Sequence, residues 1–407
     1  MAQCLSHIRV LDLSRVFSGP WAAQMLADLG ADVIKVERPG RGDDVRGQGY
    51  RAKNAQGEET AETSSFLAMN RGKRSISINM ASPKGQALIR ELAKQCDVLL
   101  ENFKAGDLAR YGLDYESLKE INPRLVYCSI TGFGQTGPYS PRPGYDPIFQ
   151  SMSGLMSLTG NAPDEPGGGP QKVGYAVSDI NAGLYATIGI LAALNHRDTV
   201  SGKGQHIDIA LYDAQIASLS HMAMNYLVSG EVPQRMGTAS AITCPYQAFE
   251  CSDGHLMIAV GNDPQFAQLC NILGLPDLAQ DPRFTLNRLR AQNQKVLIPM
   301  LAEVFKTQPV KFWQDQLDAA NVPCGPIYDL SQVFEDPQVK HREMLIEMEH
   351  ATVGRIPQIA NPLRLSETPV SYRRPPPTLS EHTDEVLGDM LGLNEAELSR
   401  LREEKII

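Results

Sequence analysis

The sequence predicts an α/β fold with a Rossmann-like large domain and a smaller α+β domain. Residues 8–13 and 32–37 are short apolar runs typical of buried strands, and residues 21–29 between them carry apolar side chains on one helical face. Two parallel strands joined by a helix of this length form a βαβ unit. Ser18-Gly19-Pro20 begins the helix and Gly30 ends it.

The same alternation continues for another 190 residues. We predict further strands at 75–79, 97–101, 125–130 and 205–211, and helices at 83–95, 105–111, 178–194 and 212–227. The polar stretch 51–64 predicts a mobile surface loop. A mostly parallel sheet therefore occupies the first half of the chain.

The character of the sequence changes around Gly230. Strands at 246–249 and 256–260 flank a Ser-Asp-Gly turn and predict an antiparallel hairpin, which helices at 264–273, 288–305 and 309–319 follow. We predict that residues 1–224 form the N-terminal part of the large domain and 225–325 the small domain. Residues 326–407 return to the large domain, where Asn394 and Glu397 fit a capping box.

Composition excludes several classes of protein. The 407 residues carry 38 Lys and Arg against 47 Asp and Glu, a net charge of −9, which argues against a nucleic-acid binder. No signal sequence opens the chain, and its richest apolar run, 186–194, is half the length that a membrane helix needs. Seven scattered cysteines lack zinc spacing and indicate a reducing compartment. We expect a cytoplasmic protein without nucleic-acid, membrane or metal binding.

Asp179 is the most suggestive carboxylate in the chain. It stands at the start of an apolar helix, where free N–H groups and the helix dipole favour an anion. Helix capping is the plain alternative. A carboxylate nucleophile would also have to be ionised, accessible and close to donors that can bind an oxyanion. Small neighbours leave room there for an acyl group: Gly174, Ala176, Ala182 and Gly183.

Basic residues cluster in the first third of the chain: Arg38, Arg41, Arg46, Lys73, Arg74, Lys104 and Arg110. Several lie at or after predicted strands, where open α/β sheets bind ligands. A phosphate-bearing ligand is one interpretation, and solvated surface charge is the other. The chain lacks a Walker A motif and G-x-G-x-x-G, and its first strand-to-helix turn carries bulky residues, so a nicotinamide dehydrogenase is disfavoured.

A series of short motifs, taken in order, carries a family resemblance. The stretches lie at 11–13, 31–38, 70–76, 101–104, 131–134, 178–183 and 381–387. Together they make the sequence similar to the class III CoA-transferases, the family of formyl-CoA transferase and carnitine CoA-transferase, from end to end. The resemblance implies two domains joined by long linkers into a ring, with two chains interlocked as a homodimer. It also implies CoA thioesters as substrates and no permanently bound cofactor.

The resemblance also assigns roles to individual residues. Asp179 matches the catalytic nucleophile of the family. The implied CoA contacts are Val16 and Ser18 beside the thioester, Arg38 at a phosphate, Ile78 and Ala81 at the adenine, Asn102, Phe103, Lys104 and Arg110, and Tyr145 and Asp146 in a strip facing Asp179.

Other stretches bear on the substrates. Phe17 occupies the place of a glutamine in formyl-CoA transferase, and residues 245–266 and 347–354 look like the succinyl-CoA:glutarate branch of the family. We therefore expect CoA transfer from succinyl-CoA to a small dicarboxylate such as glutarate, through an aspartyl anhydride and an aspartyl-CoA thioester. The distal carboxylate of the acid needs a cation, for which Arg15 and Arg235 are candidates. A surface or interdomain ion pair is the alternative for both.

Two other functions remain open at the level of sequence. An α-methylacyl-CoA racemase resembles this family, but its histidine base would fall at Tyr145, and a phenol with a pKa near 10 is a poor base at neutral pH. A non-catalytic acyl-CoA binding protein is the second alternative, and it would require nothing special of Asp179.

Overall fold

The computed structural model describes residues 3–407, which divide into two compact units. The first unit comprises the chain up to residue 155 together with 173–229 and 340–407, and the second comprises 156–172 and 230–339. Segment 156–172 falls within the predicted large domain, yet it packs with the second unit, where the Gly237 N–H donates to the Gly160 carbonyl at 3.0 Å. The predicted boundaries at 224 and 325 stay a prediction for the domains.

The strands, in chain order, are β1 (Arg9–Asp12), β2 (Asp32–Glu37), β3 (Arg51–Lys53), β4 (Glu59–Thr63), β5 (Lys73–Ser77), β6 (Val98–Glu101), β7 (Val126–Thr131), β8 (His206–Ala210), β9 (Tyr246–Glu250), β10 (His255–Ala259), β11 (Cys324–Pro326), β12 (Leu345–His350) and β13 (Gly354–Ile359).

The α-helices, in chain order, are α1 (Ser18–Asp28), α2 (Ser64–Leu67), α3 (Pro83–Lys94), α4 (Tyr115–Lys119), α5 (Asp146–Met152), α6 (Leu155–Leu158), α7 (Val177–His196), α8 (Leu211–Ser218), α9 (Ser220–Ser229), α10 (Asp263–Ile272), α11 (Asn287–Gln292), α12 (Gln294–Phe305), α13 (Val310–Ala319), α14 (Leu330–Glu335), α15 (Pro337–His341), α16 (Thr383–Leu391) and α17 (Glu395–Glu403).

A parallel sheet forms the centre of the first unit, which confirms the predicted α/β class. Its strand order is β5-β2-β1-β6-β7-β8, and every neighbouring pair is parallel. From β1 the chain builds outward in one direction through β2 and β5, and in the other through β6, β7 and β8. The order thus reverses between β1 and β6, and open α/β sheets bind their ligands in the crevice at such a switch point.

Helices cover both faces of this sheet. Side chains alternate along each strand, so Val98 and Leu100 join the core under α1 and α7, whereas Leu99 joins the core under α3 and α16. All three side chains are fully buried. Strands buried on both faces explain why β1, β2 and β6 are apolar runs in the sequence.

The segment after residue 340 returns to the β5 edge of the sheet. The Ser75 carbonyl accepts a hydrogen bond from the His382 N–H at 2.9 Å, and the Asn79 N–H donates to the Ile406 carbonyl at 2.7 Å. The predicted capping box is confirmed, because the Asn394 side chain accepts from the Glu397 N–H and the Glu397 side chain accepts from the Asn394 N–H.

Several predicted elements differ from the structure. The expected loop 51–64 forms the β3–β4 hairpin, whose turn is closed by an Asn54 N–H to Glu58 carbonyl bond of 2.9 Å. The predicted helix 105–111 is only a 3₁₀ turn over Ala109–Tyr111, because Gly106 and Gly112 adopt positive φ on either side. The predicted helix 212–227 is broken into α8 and α9 at Ser220, which has φ of +48°.

The second unit contains an antiparallel sheet in the order β11-β10-β9. The predicted hairpin is present as β9 and β10, and residues 324–326, expected to be only a rigid exit, form the third strand. Helices α10, α12 and α13 contribute to the core of this unit, in which Phe305 stacks on Phe249 with ring centroids 4.7 Å apart.

One helical stretch among residues 3–407, Val177–Ser201, is long and apolar enough to cross a membrane by length and composition. The expectation of no membrane-spanning helix was based on the nine-residue apolar run 186–194, and this helical stretch is longer than that run. The core helix of a globular protein passes the same test, and α7 packs against α1, β7 and β8. The stretch is therefore weak evidence for a membrane.

Candidate active site

The crevice at the strand-order switch is closed by a reciprocal pair of hydrogen bonds. The Arg15 N–H after β1 donates to Asn102 Oδ1 at 2.8 Å, and Asn102 Nδ2 after β6 donates to the Arg15 carbonyl at 2.6 Å. The Asn102 side chain therefore links the loop after β1 to the loop after β6, and these two loops flank the crevice.

Two cavities meet at this point. The larger has a volume of about 500 Å³ and the smaller about 260 Å³, and Arg15, Phe103 and Asp107 line both. The Arg15 guanidinium lies over the Phe103 ring, 4.8 Å from its centroid. The two cavities therefore adjoin, and together they suit an elongated ligand with a bulky end.

Most of the sequence-predicted residues line these two cavities. The larger cavity is lined by Arg38, Ile78, Ala81, Phe103 and Arg110, and the smaller by Val16, Ser18, Asn102, Lys104, Tyr145 and Asp179. The structure therefore brings together residues that are separated by up to 163 positions in the chain.

Asp179 lies in the first turn of α7 and borders the smaller cavity. The N-cap residue is Ala176, and no side chain of the cap makes a hydrogen bond there, so capping does not account for Asp179. The free amide of Ser178 is instead satisfied by Asp146 Oδ1 at 2.8 Å. Asp179 is half-buried, and no described cation forms an ion pair with it.

Burial raises the pKa of the Asp179 carboxyl to about 7, and the negative charge of Asp146 adds to the shift. The hydroxyl and the backbone N–H of Ser18 act as donors to the carboxylate and lower its pKa in part. The side chain is therefore partly ionised at neutral pH, and it is more basic than an exposed aspartate.

Gly183 permits the approach of Ser18 to the helix. It follows Asp179 by one helical turn, so the two residues share a face of α7. A Cβ atom at Gly183 would lie 2.7 Å from the Ser18 carbonyl oxygen and 3.1 Å from Trp21 Cδ1. Any other residue at this position would push the loop after β1 away from Asp179.

The wall opposite this loop also requires glycines. A Cβ at Gly132 would lie 2.8 Å from Phe149 Cζ, and one at Gly144 would lie 2.3 Å from the same atom. Phe149 is fully buried beneath both glycines. The ring thereby sets how closely the segment after β7 approaches the cavity.

Other residues that the sequence predicted to belong to the site do not line either cavity. Asp146 lines neither cavity, because its carboxylate is buried and accepts from the Gln150 side chain at 2.6 Å as well as from Ser178. Arg235 belongs to the second unit, where its Cδ lies beside Gly160, and its role stays a prediction. Lys73 forms a fully buried ion pair with Asp12 and is not available to a phosphate.

Two further residues of the basic cluster are also taken up by carboxylates. Arg46 binds Glu37 at 2.8 Å and Arg74 binds Asp32 at 2.6 Å. The members of the cluster that line the two cavities are Arg38 and Arg110 in the larger one and Lys104 in the smaller one, and the phosphate interpretation applies to these.

The prediction from sequence missed Arg142, which lines the smaller cavity with Asp179. Its guanidinium lies 4.5 Å from the Tyr139 ring centroid and 5.3 Å from that of Phe133, and it forms no ion pair in the described chain. The only signal in the sequence was weak, since Arg142 lies in the segment after the predicted strand 125–130 but well beyond its end.

No group of three or more His, Cys, Asp and Glu side chains is arranged to hold a metal ion within residues 3–407. The polar groups that border the smaller cavity include Asp179, whose pKa is raised, together with two other carboxylates (Asp44 and Asp107), the Asn102 amide, hydroxyls and cations. This set can support nucleophilic attack by a carboxylate on an activated carbonyl.

We predict that Asp179→Asn stabilises the protein in a pH-dependent way. The carboxyl has a pKa of about 7 in the folded chain against an ordinary 3.8, so ionisation reduces stability as pH rises through this window, and the full cost is present above pH 7. The Asn variant should therefore melt a few degrees above the parent at pH 8, with a smaller difference at pH 5. Thermal unfolding by circular dichroism measures both, and the exposed Glu367→Gln is the control. An equal difference at the two pH values would contradict the assignment.

Comparison with known proteins adds independent evidence. The model of CoA-transferase family III matches residues 5–383. The chain is 48% identical over 391 residues to a succinate–glutarate CoA-transferase of Agrobacterium fabrum, with 95% of each chain covered. It is 43% identical to the human succinyl-CoA:glutarate CoA-transferase, with 98% of this chain and 88% of the relative covered.

Solved structures agree with these sequence matches. A CAIB/BAIF family protein from Brucella suis superposes with a TM-score of 0.85 at 45% identity, covering 96% of this chain and all of that one. The family model spans most of the chain, and the candidate nucleophile lies within the matched region. This chain therefore belongs to CoA-transferase family III and is a CoA-transferase that uses CoA thioesters as substrates.

Proposed function

We propose that this enzyme transfers CoA from succinyl-CoA to a small dicarboxylic acid such as glutarate, with Asp179 as the nucleophile. The observation that carries the proposal is the position of Asp179, half-buried in a small cavity that adjoins a larger one lined by Arg38 and Arg110. The larger cavity suits the nucleotide end of CoA and the smaller one suits the thioester. The names of the relatives supply the substrate class.

The reaction proceeds through covalent intermediates on Asp179. Its carboxylate attacks the thioester carbonyl, the C–S bond breaks, and a mixed anhydride and CoA thiolate form. The thiolate attacks the aspartyl carbonyl, which releases succinate and leaves an aspartyl-CoA thioester. The acceptor carboxylate attacks this thioester to form a second anhydride and thiolate. The thiolate then takes the acceptor acyl group, which regenerates the Asp179 carboxylate.

The geometry favours this chemistry over direct exchange. A carboxylate whose pKa is near 7 is a stronger nucleophile than an exposed one, and at neutral pH a substantial fraction of it is ionised. The Ser18 hydroxyl and N–H lie beside it and can stabilise the oxyanion that develops during each attack.

The distal carboxylate of the acid requires a cation in the same cavity. Arg15 is shared with Asp44, 3.3 Å away, whereas Arg142 is supported by two aromatic rings. Contacts with ring faces leave the N–H groups in the guanidinium plane free for a bidentate carboxylate. We assign the distal carboxylate to Arg142, with Arg15 as the second candidate.

The alternatives have less support. A racemase needs a base such as histidine, but no described histidine lines either cavity, and Tyr145 occupies the corresponding position. A binding protein that performs no chemistry has no need for a buried carboxylate of raised pKa at the end of its ligand cavity.

The interlocked homodimer is also part of the proposal. Apolar side chains of α7 and α9 are exposed on the single chain, among them Ile188 at 62%, Leu227 at 70% and Val228 at 80%. Large apolar side chains left exposed on helices in this way are typical of a protein interface. A second copy of the chain would cover them.

We propose a cytoplasmic location. All seven cysteines are free thiols in the structure, and Cys4 among them is exposed. Thiols persist in a reducing compartment, where acyl-CoA substrates are also found.

Replacing Asp179 tests the mechanism directly. We expect Asp179→Ala and Asp179→Asn to lower transfer from succinyl-CoA by about a thousandfold or more, because the covalent route is lost. Binding of CoA, measured by calorimetry, should change by about threefold at most, since we place its nucleotide end in the larger cavity, away from Asp179.

Trapping of the intermediate adds a second readout. Borohydride added with succinyl-CoA should reduce the parent enzyme at Asp179 to homoserine, which peptide mass spectrometry detects, and should leave the Asn variant unmodified. The Glu367→Gln variant is the matched control for both assays. Transfer within about tenfold of the parent in either Asp179 variant would overturn the proposal.

The acceptor specificity is tested with Arg142→Gln. With succinyl-CoA as donor, we expect kcat/KM for glutarate to fall about tenfold to a hundredfold, the value of a charged hydrogen bond, and that for a monocarboxylate such as butyrate to stay nearly unchanged. Arg142→Lys should retain part of the preference. An equal loss for both acids would show that Arg142 serves the fold or CoA rather than the distal carboxylate.

The homodimer is tested by light scattering. We expect a mass twice the 44.6 kDa of one chain, and we expect Ile188→Glu and Leu227→Glu to weaken the dimer because each would bury a charge. Leu330→Glu, on an equally exposed apolar residue of the second unit, is the control. A monomeric parent protein would contradict the proposal.

A further inference from the structure

The loop between β1 and α1 has a backbone conformation that its sequence disfavours. Val16 adopts φ of +69°, in the left-handed region that β-branched residues rarely occupy. The same loop carries Val16 and Ser18 to the smaller cavity. Strained residues of this kind persist only where the surrounding structure holds them, and they cluster at active sites.

Side chains bind most peptide groups of this loop from Ser14 to Val16, whereas the Leu13 N–H donates to the Leu100 carbonyl of β6 at 2.8 Å. The Ser14 carbonyl accepts from Lys35 Nζ at 2.9 Å, and the Val16 N–H donates to Asp43 Oδ1 at 3.1 Å. Further along, the Pro20 carbonyl accepts from Lys73 Nζ at 3.0 Å. These three anchors are the ends of charged side chains, and the neutral Asn102 binds the peptide groups of Arg15 between them.

These charges are completely buried. Lys35 Nζ lies 2.8 Å from Asp43 Oδ2, and neither side chain has exposed surface. A buried ion pair is weak evidence for stability, because an apolar pair of similar volume often stabilises a protein as well or better. Stability alone therefore does not explain the Lys35–Asp43 pair, and its contacts with the loop indicate that it positions the backbone.

We propose that Asp43, supported by Lys35, is a positioning residue for the transfer reaction. By accepting the Val16 N–H it fixes the loop in its left-handed conformation, and this sets the Ser18 hydroxyl and amide against Asp179. Asp43 lines only the larger cavity and does not reach the smaller one, so it acts through the loop. The inference rests on the proposed function, in which Asp179 is the nucleophile.

Replacing Asp43 by alanine removes the acceptor. We expect kcat to fall about tenfold to a hundredfold, as for the loss of a preorganised donor, while KM for succinyl-CoA changes by about threefold at most. Asp43→Asn keeps an acceptor oxygen and should recover part of kcat.

The pH profile separates positioning from a simple effect of charge. The donors of Ser18 lower the pKa of Asp179, so a displaced loop should move the acid limb of kcat to higher pH. Loss of the Asp43 charge alone would leave Lys35 unpaired and move that limb to lower pH. Asp146 on α5, the other charge that shifts Asp179, is unchanged in all these variants.

A matched control comes from a second buried ion pair of the first unit. Asp28 Oδ2 lies 2.7 Å from Arg71 Nη2, both side chains are at most 3% exposed, and neither residue lines the two cavities. Asp28→Ala also leaves a buried cation unpaired, so it should lower the melting temperature as Asp43→Ala does. Its kcat and acid limb should stay those of the parent.

Val16→Gly tests the strain itself. Glycine adopts positive φ without steric cost, so adding this change to an Asp43 variant should raise kcat several-fold. If Asp43→Ala does not fold, Asp43→Asn carries the same comparison against Asp28→Asn.

The outcomes distinguish the two proposals. Asp43 and Asp28 variants with the same kcat and pH profile, or no gain from Val16→Gly, would overturn the positioning role and leave Asp179 as the nucleophile. Transfer that persists in Asp179→Asn would instead overturn the proposed function.

Discussion

The contact between the loop after β1 and the first turns of α7 is the constraint on which the site depends. Ser18 reaches Asp179 because Gly183, one turn along the same helix face, has no side chain to keep the loop away. The loop in turn is tied to the segment after β6 through Asn102. Three segments from distant parts of the first 183 residues thus meet at the point where the strand order reverses.

Charged side chains in this region have two separate roles. Lys35, Asp43, Asp12 and Lys73 neutralise one another in the interior and hold the backbone, whereas Asp179 is left without a cation, and burial then raises its pKa. A nucleophile paired with lysine would be fully ionised but less basic. The fold therefore separates the ion pairs that fix the geometry from the carboxylate that we propose reacts.

The sequence predicted elements whose signal is local. Apolar runs such as 32–37 and the cap at Asn394 are readable from adjacent residues, and both are present in the structure. The β3–β4 hairpin was missed because its polar strands carry no alternating pattern. The ion pairs of Lys73, Arg46 and Arg74 were unpredictable, since their partners lie elsewhere in the chain and only the folded sheet brings them together. The residues that we expect to contact CoA were predicted from the family motifs rather than from periodicity. Arg142 lies outside those motifs and was therefore missed.

The return of the chain to the β5 edge has a consequence for biosynthesis. Residues 78–81 line the larger cavity, and the amide of Asn79 among them is satisfied by the carbonyl of Ile406. During translation this wall of the larger cavity therefore stays incomplete until synthesis has reached residue 406. Until then, the nascent chain carries the Asn79 amide at this edge without its native acceptor.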